Sequence, residues 1–150
     1  MDKVLLSTGK DDWETPVDFF NKLNEEFNFT LDPCCVNETA KCNKFYTKKE
    51  DGLKQSWEGE TVYCNPPYSR KTKATTGQSD WIKKCYEEGQ KTTVVMLLPS
   101  RTDTIAFHKY VYHHAEIRFI KGRLKFVGAK DFAPFPSMVA IFRPEIKAIS

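Results

Sequence analysis

The stretch VYCNPPYSRKTK, residues 62–73, decides how the chain is read. It opens as an apolar strand, TVYC (61–64), and stops abruptly at Asn65-Pro66-Pro67. Proline has no N–H to give to a sheet ladder, so the strand ends there and the backbone beyond it is stiff. An aromatic ring, Tyr68, and a basic run follow. A strand that delivers a polar amide, two rigid residues and a ring to its carboxyl end suggests a site rather than a connection.

Working outward, the same alternation repeats. Thr15-Pro16 reads as an N-cap and a first-turn proline. Phe19, Phe20, Leu23 and Phe27 recur at helical spacing, so residues 16–27 form a predicted helix. FNFTL (27–31) alternates as a strand and ends at Asp32-Pro33. Residues 34–43 allow a turn or two of helix, and KFYT (44–47) a short strand. Residues 69–79 read as a flexible basic loop and 80–90 as a helix facing inward with Trp81, Ile82, Cys85 and Tyr86. TTVVMLLP (92–99) is a continuous apolar, β-branched run of the kind that forms a strand buried on both faces. Residues 103–114 are predicted helical. EIRFI (116–120) and RLKFV (123–127) around Lys121-Gly122 suggest a hairpin. SMVAIFRP (137–144) is a last strand.

Strands alternating with helices imply an α/β domain with a mixed, mostly parallel sheet and a late β-hairpin. In such sheets ligands sit at the carboxyl ends of the strands. Asp32-Pro33 and Asn65-Pro66-Pro67-Tyr68 both fall at such ends and should face one crevice.

Composition sets the outer bounds. The chain has 150 residues, 40% hydrophobic and 29% charged, which suits one globular domain over 13–150 behind a polar arm, 1–12. No apolar run approaches the roughly 20 residues that cross a bilayer, and the start does not read as a signal peptide, so a cytoplasmic protein is expected. The five cysteines (Cys34, Cys35, Cys42, Cys64 and Cys85) contain no CxxC pair, which favours free thiols and speaks against a metal site. His108, His113 and His114 read as helix surface. The net charge of +3 permits a nucleic-acid partner without demanding one.

NPPY resembles the catalytic motif of S-adenosylmethionine-dependent methyltransferases that act on exocyclic or side-chain amines. WETP, CNPPYS, LLPSRTDT, GRLKF and PFPSMV stand in order across residues 13–143. Together they are similar to the phage-type DNA N-6-adenine methyltransferase (Dam-like) family. The resemblance implies a reduced Rossmann-like fold, S-adenosylmethionine as cofactor, double-stranded DNA as partner, and a phage- or prophage-encoded protein acting in a bacterial cell as a monomer or weak dimer, with no metal. It implies catalytic roles for Asn65, Pro66, Pro67 and Tyr68. It assigns Trp13, Thr15, Pro16, Asp32, Pro33, Cys34 and Asp51 to the cofactor. Ser69, Arg70, Lys71, Lys73, Arg101, Arg123 and Lys125 become DNA contacts.

The chemistry of the motif fits. An exocyclic base amine is a weak nucleophile because its lone pair is delocalised into the ring. It attacks better when acceptors hold its N–H bonds. The Asn65 amide oxygen and the Pro66 carbonyl can serve, and proline stiffness fixes the second. Tyr68 can stack on a base flipped from the duplex. Asp32 can accept from a cofactor ammonium or simply cap its own turn. Asp51 can accept from a cofactor amine or belong to an Asp-Gly turn. The wider superfamily carries a G-x-G after the first strand; here DPCCVN (32–37) stands instead, and no acidic residue ends the second strand. Cytosine N4 methylation and a DNA-binding relative without activity are the rival readings.

Overall fold

The computed structural model describes residues 13–68 and 77–144. Six strands form one sheet: β1 (Leu31–Asp32), β2 (Lys44–Phe45), β3 (Val62–Cys64), β4 (Val94–Pro99), β5 (Glu116–Phe119) and β6 (Ser137–Phe142). Their order across the sheet is β2-β1-β3-β4-β6-β5. The first four run parallel. β6 runs antiparallel between β4 and β5. The architecture is therefore α/β with a mixed sheet, as the alternating pattern implied.

Helix α1 (Val17–Phe27) and helix α2 (Gln78–Glu88) cover opposite faces. The period-two geometry of a strand sorts the core accordingly. Val62, Cys64, Val94, Met96 and Leu98 pack with Trp81, Ile82 and Cys85 of α2. Tyr63, Val95, Leu97, Val139 and Ile141 pack with Phe20 and Leu23 of α1. The TTVVMLLP run is apolar throughout because both of its faces are covered; every residue of β4 is buried.

Three expectations need correction. Thr15 does not cap α1. Pro16 occupies that position, and its carbonyl accepts from the Phe20 N–H at 3.0 Å. The Thr15 hydroxyl is drawn instead into a buried polar network. Residues 103–114 do not make a regular helix: a π-helical turn spans Phe107–Val111, burying those two residues. The hairpin of 116–127 does not form. β5 pairs with β6, while residues 120–136 make a long connection. RLKFV still buries Phe126 and half-buries Leu124, so its alternation reflects packing, but its backbone turns elsewhere. The Val127 N–H bonds the Glu14 carbonyl at 3.0 Å, and the Ala133 N–H bonds the Leu124 carbonyl at 2.8 Å.

The parallel order places a switch point between β1 and β3. The chain leaves β1 toward β2 on one side and later returns to add β3 on the other. Connections that diverge in this way open a crevice at the carboxyl ends, where ligands of open α/β sheets bind. Asp32 ends β1 and Asn65 follows β3 there.

Candidate active site

A cavity of about 590 Å³ occupies that crevice. Trp13, Glu14, Thr15, Asp32, Cys34, Tyr63, Asn65, Pro66 and Pro67 line it, with Lys41 and Thr47–Lys49 on the far side. Of the residues expected to hold the cofactor, Trp13, Thr15, Asp32 and Cys34 line this cavity. Pro16 and Pro33 stand one residue outside its wall.

Asp32 is 3% exposed. Its Oδ1 accepts the Cys34 N–H at 3.2 Å and its Oδ2 the Lys41 N–H at 3.0 Å. The carboxylate thus organises the turn that replaces a glycine-rich loop, and it also faces the cavity. Burial pushes its carboxyl up to about 6, against the pull of those two N–H bonds. Lys41 is itself held by Glu14, Nζ to Oε2 at 3.2 Å.

Asp51 lies away from this lining. Its Oδ1 accepts the Leu53 N–H at 3.2 Å, and its φ of 59° places it in the left-handed region of a tight turn. What the segment Glu50-Asp51-Gly52-Leu53 supplies here is Gly52. A Cβ on Gly52 would lie 2.1 Å from the Pro33 carbonyl oxygen. The Gly52 carbonyl in turn accepts from Trp57 Nε1 at 3.0 Å. The segment therefore presses on the Asp32-Pro33 turn from behind and holds it in place.

Asn65 shows the sharpest polar asymmetry in the site. Its Nδ2 donates to the Trp13 carbonyl at 2.5 Å and to Thr15 Oγ1 at 3.1 Å. Thr15 Oγ1 is also 2.6 Å from the Tyr63 hydroxyl. Both amide hydrogens are used, yet the buried Oδ1 has no hydrogen-bond partner among the described residues. A buried acceptor left unsatisfied costs about 1–3 kcal/mol, so such atoms in folded proteins call for a functional account. An incoming N–H would satisfy it.

Tyr68 leaves the cavity behind and enters an aromatic cluster. Its ring stacks on Trp13 at 6.5 Å between centroids, and Phe126 and Phe135 meet it edge-on at 6.4 and 5.4 Å. The long connection 120–136 exists to deliver those two phenylalanines. Tyr68 also lines a second cavity of about 520 Å³, with Gln78, Ser79, Arg101, Asp103 and Thr104 around an apolar floor of Ile82, Leu98 and Met138. The Tyr68 hydroxyl and Gln78 Nε2 are buried there without hydrogen-bond partners among the described residues. The motif therefore divides two spaces, with Asn65-Pro66-Pro67 on one side and Tyr68 on the other.

Among the expected DNA contacts, Ser69, Arg70, Lys71 and Lys73 lie outside the described residues. Arg101 lies over the Phe135 ring at 5.8 Å and reaches the second cavity. Arg123 donates to the Ala133 carbonyl at 3.2 Å, bracing the long connection, and Lys125 is exposed. Among the described residues no group of His, Cys, Asp and Glu could hold a metal, and no disulfide joins the five cysteines. Burial pushes the Cys35 and Cys42 thiols up to about 12, which makes them poor nucleophiles. No helix among the described residues is long and apolar enough to cross a membrane.

Sequence reasoning missed Tyr63, Phe126 and Phe135. Tyr63 was legible in principle, because it stands two residues before Asn65 on a strand and so shares its face. The phenylalanines were not, because no local pattern tells where a long connection folds back.

Comparison with known proteins supplies the remaining link. The chain is 29% identical over 146 residues to the DNA N-6-adenine-methyltransferase of Haemophilus phage HP1, covering 91% of this chain and 80% of that one. It is 30% identical over 118 residues to the DNA N-6-adenine-methyltransferase of Escherichia phage T1, covering 77% of this chain and 47% of that protein. The family model described as DNA N-6-adenine-methyltransferase (Dam) matches residues 3–149, spanning both walls of the cavity and the NPPY segment between them, and the chain belongs to that family.

Proposed function

We propose that the chain, acting as a single reduced Rossmann-like methyltransferase domain, transfers a methyl group from S-adenosylmethionine to the N6 amine of adenine in double-stranded DNA. The observation that carries this reading is the buried Asn65 Oδ1, an acceptor with its amide fixed and no hydrogen to accept among the described residues. Family membership supports it independently.

The first cavity suits the cofactor. Its volume is adequate, a buried carboxylate faces it, and hydroxyl and lysine groups stand opposite. Asp32 would hold the ammonium of the methionine part, while Thr15 offers a hydroxyl to its carboxylate. Thr47, just beyond β2, lines the wall where a carboxylate would ordinarily hold the ribose, its hydroxyl donating to Glu50 Oε1 at 2.7 Å. When bound, S-adenosylmethionine supplies an electrophilic methyl group on a sulfonium whose departure leaves a neutral thioether.

The protein's own part is alignment. Asn65 Oδ1 and the Pro66 carbonyl accept the two N–H bonds of the target amine. Holding both draws electron density onto nitrogen and directs its lone pair at the methyl carbon. As the C–N bond forms, the nitrogen becomes tetrahedral and its N–H bonds more acidic, so these acceptors bind the transition state more tightly than the ground state. The flipped base would enter from the second cavity, where Tyr68 stacks on it with Trp13 behind, and reach Asn65 with its amine edge. The basic segment carrying Arg70, Lys71 and Lys73, with Arg101, Arg123 and Lys125, contacts phosphates.

The test is incubation with unmethylated duplex DNA and cofactor, followed by mass analysis of the nucleosides. N6-methyldeoxyadenosine is the expected product. N4-methyldeoxycytidine would refute the assigned target. Cofactor binding with no methylated nucleoside on any duplex would refute the activity.

A further inference from the structure

Tyr63 precedes Asn65 by two residues, and their side chains leave the backbone on the same face. The phenol is 1% exposed, and its hydrogen-bond partner among the described residues is Thr15 Oγ1. Either hydroxyl of this pair can donate; with Thr15 Oγ1 also engaged by Asn65 and lining the cavity, we take Tyr63 as the donor and Thr15 as the acceptor. The second lone pair of Thr15 Oγ1 accepts from Asn65 Nδ2. The other Nδ2 hydrogen goes to the Trp13 carbonyl, which can only accept. Turning the amide over would set Oδ1 against that carbonyl oxygen with no hydrogen between them.

We propose that Tyr63 is a positioning residue for the methyl transfer: by donating to Thr15 it commits that hydroxyl to accept from Asn65, and so holds the Asn65 amide with Oδ1 presented to the target amine. The proposal rests on the reading of Asn65 given above. It adds a residue that acts through Thr15 and Asn65. Burial raises the phenol's pKa, so the donor keeps its hydrogen throughout the working range. Thr15's own hydrogen is then left for the cavity it lines.

The experiment is a double-mutant cycle on single-turnover methylation of duplex DNA at saturating cofactor, using wild type, Tyr63→Phe, Asn65→Ala and the double variant. Tyr63→Phe should slow transfer roughly tenfold at saturating cofactor, the equivalent of one neutral hydrogen bond. The double variant should be no slower than Asn65→Ala alone, since the amide that Tyr63 orients is gone. A wild-type rate in folded Tyr63→Phe overturns the proposal while leaving Asn65 catalytic. Losses that multiply in the double variant also overturn it, because Tyr63 would then act independently. A wild-type rate in Asn65→Ala overturns the motif reading itself, and the proposal with it. Should Tyr63→Phe unfold, Thr15 carries the test: Thr15→Ser should recover most of what Thr15→Val loses at saturating cofactor, and equal rates in those two variants reject the relay.

Discussion

Consider Asp32→Asn. In the folded chain the Asp32 carboxyl is raised from 3.8 to about 6 by burial. The native state therefore holds this proton more tightly than the unfolded state does. The corresponding stability is fully present below pH ~4 and is lost as pH rises through about 6. A shift of roughly two units, at about 1.4 kcal/mol each, sets the loss on the order of 3 kcal/mol. Asparagine cannot ionise. It keeps one acceptor oxygen for either the Cys34 or the Lys41 N–H and loses the other. Urea unfolding of both proteins from pH 4 to pH 8 isolates the residue, since other carboxyls cancel in the difference. The wild type should lose stability relative to the variant across pH 4–6 and hold a constant offset above. Cofactor binding should show the mirror image, because an ammonium needs the ionised carboxylate. With a midpoint near 6, the ionised fraction falls about tenfold between pH 7 and pH 5, and wild-type affinity should fall with it. In Asp32→Asn the affinity should be weaker at pH 7 and flat with pH. A stability difference independent of pH, or one that favours the wild type as pH rises, would refute the account of a desolvated carboxylate.

Four further outcomes are expected. Asn65→Ala should lower single-turnover methylation roughly 100-fold or more with cofactor affinity intact, and Asn65→Asp, which keeps an acceptor oxygen, should retain more activity; quench-flow rates check both. Replacing Arg70, Lys71 and Lys73 together with alanine should weaken binding to every duplex and flatten its dependence on salt, read by fluorescence anisotropy across a salt series. Gly52→Ala should destabilise by about 2 kcal/mol or more, because its Cβ meets the Pro33 carbonyl, and should weaken cofactor binding through the displaced Asp32 turn; urea midpoints and calorimetry report the two effects. Glu88→Ala should cost on the order of 2 kcal/mol in urea unfolding, since Glu88 accepts the buried Trp57 N–H and pairs with Lys84 at 3.0 Å.

The parts of the site legible in the sequence were those fixed by short-range covalent geometry. Proline stops a strand wherever it stands, so the end of β3 and the exposure of Asn65 to a crevice followed from TVYCNPP. Parallel pairing then put Asp32 and Asn65 at one edge. The illegible parts were settled by distant partners. Thr15 has the chemistry of an N-cap, but a buried tyrosine and an asparagine 50 residues away in sequence offered its hydroxyl better partners. RLKFV has the alternation of a strand, yet its backbone bonds go to Glu14 and Ala133 rather than to β5, which pairs with β6 instead. Asp51 has an acceptor aimed by an Asp-Gly turn, and the turn consumes it.

The place of β6 has a consequence for synthesis. The strand is the last in sequence, yet it lies between β4 and β5 and pairs with β4 over all six of its residues. Until residue 142 clears the ribosome, β4 is an unpaired apolar edge and β5 has no neighbour in the sheet. Such an edge is the surface through which nascent chains aggregate. The domain can therefore close only after nearly all of its residues have been translated. Pauses between the codons for β4 and β6 would lengthen the exposed interval, whereas pauses before β4 would not.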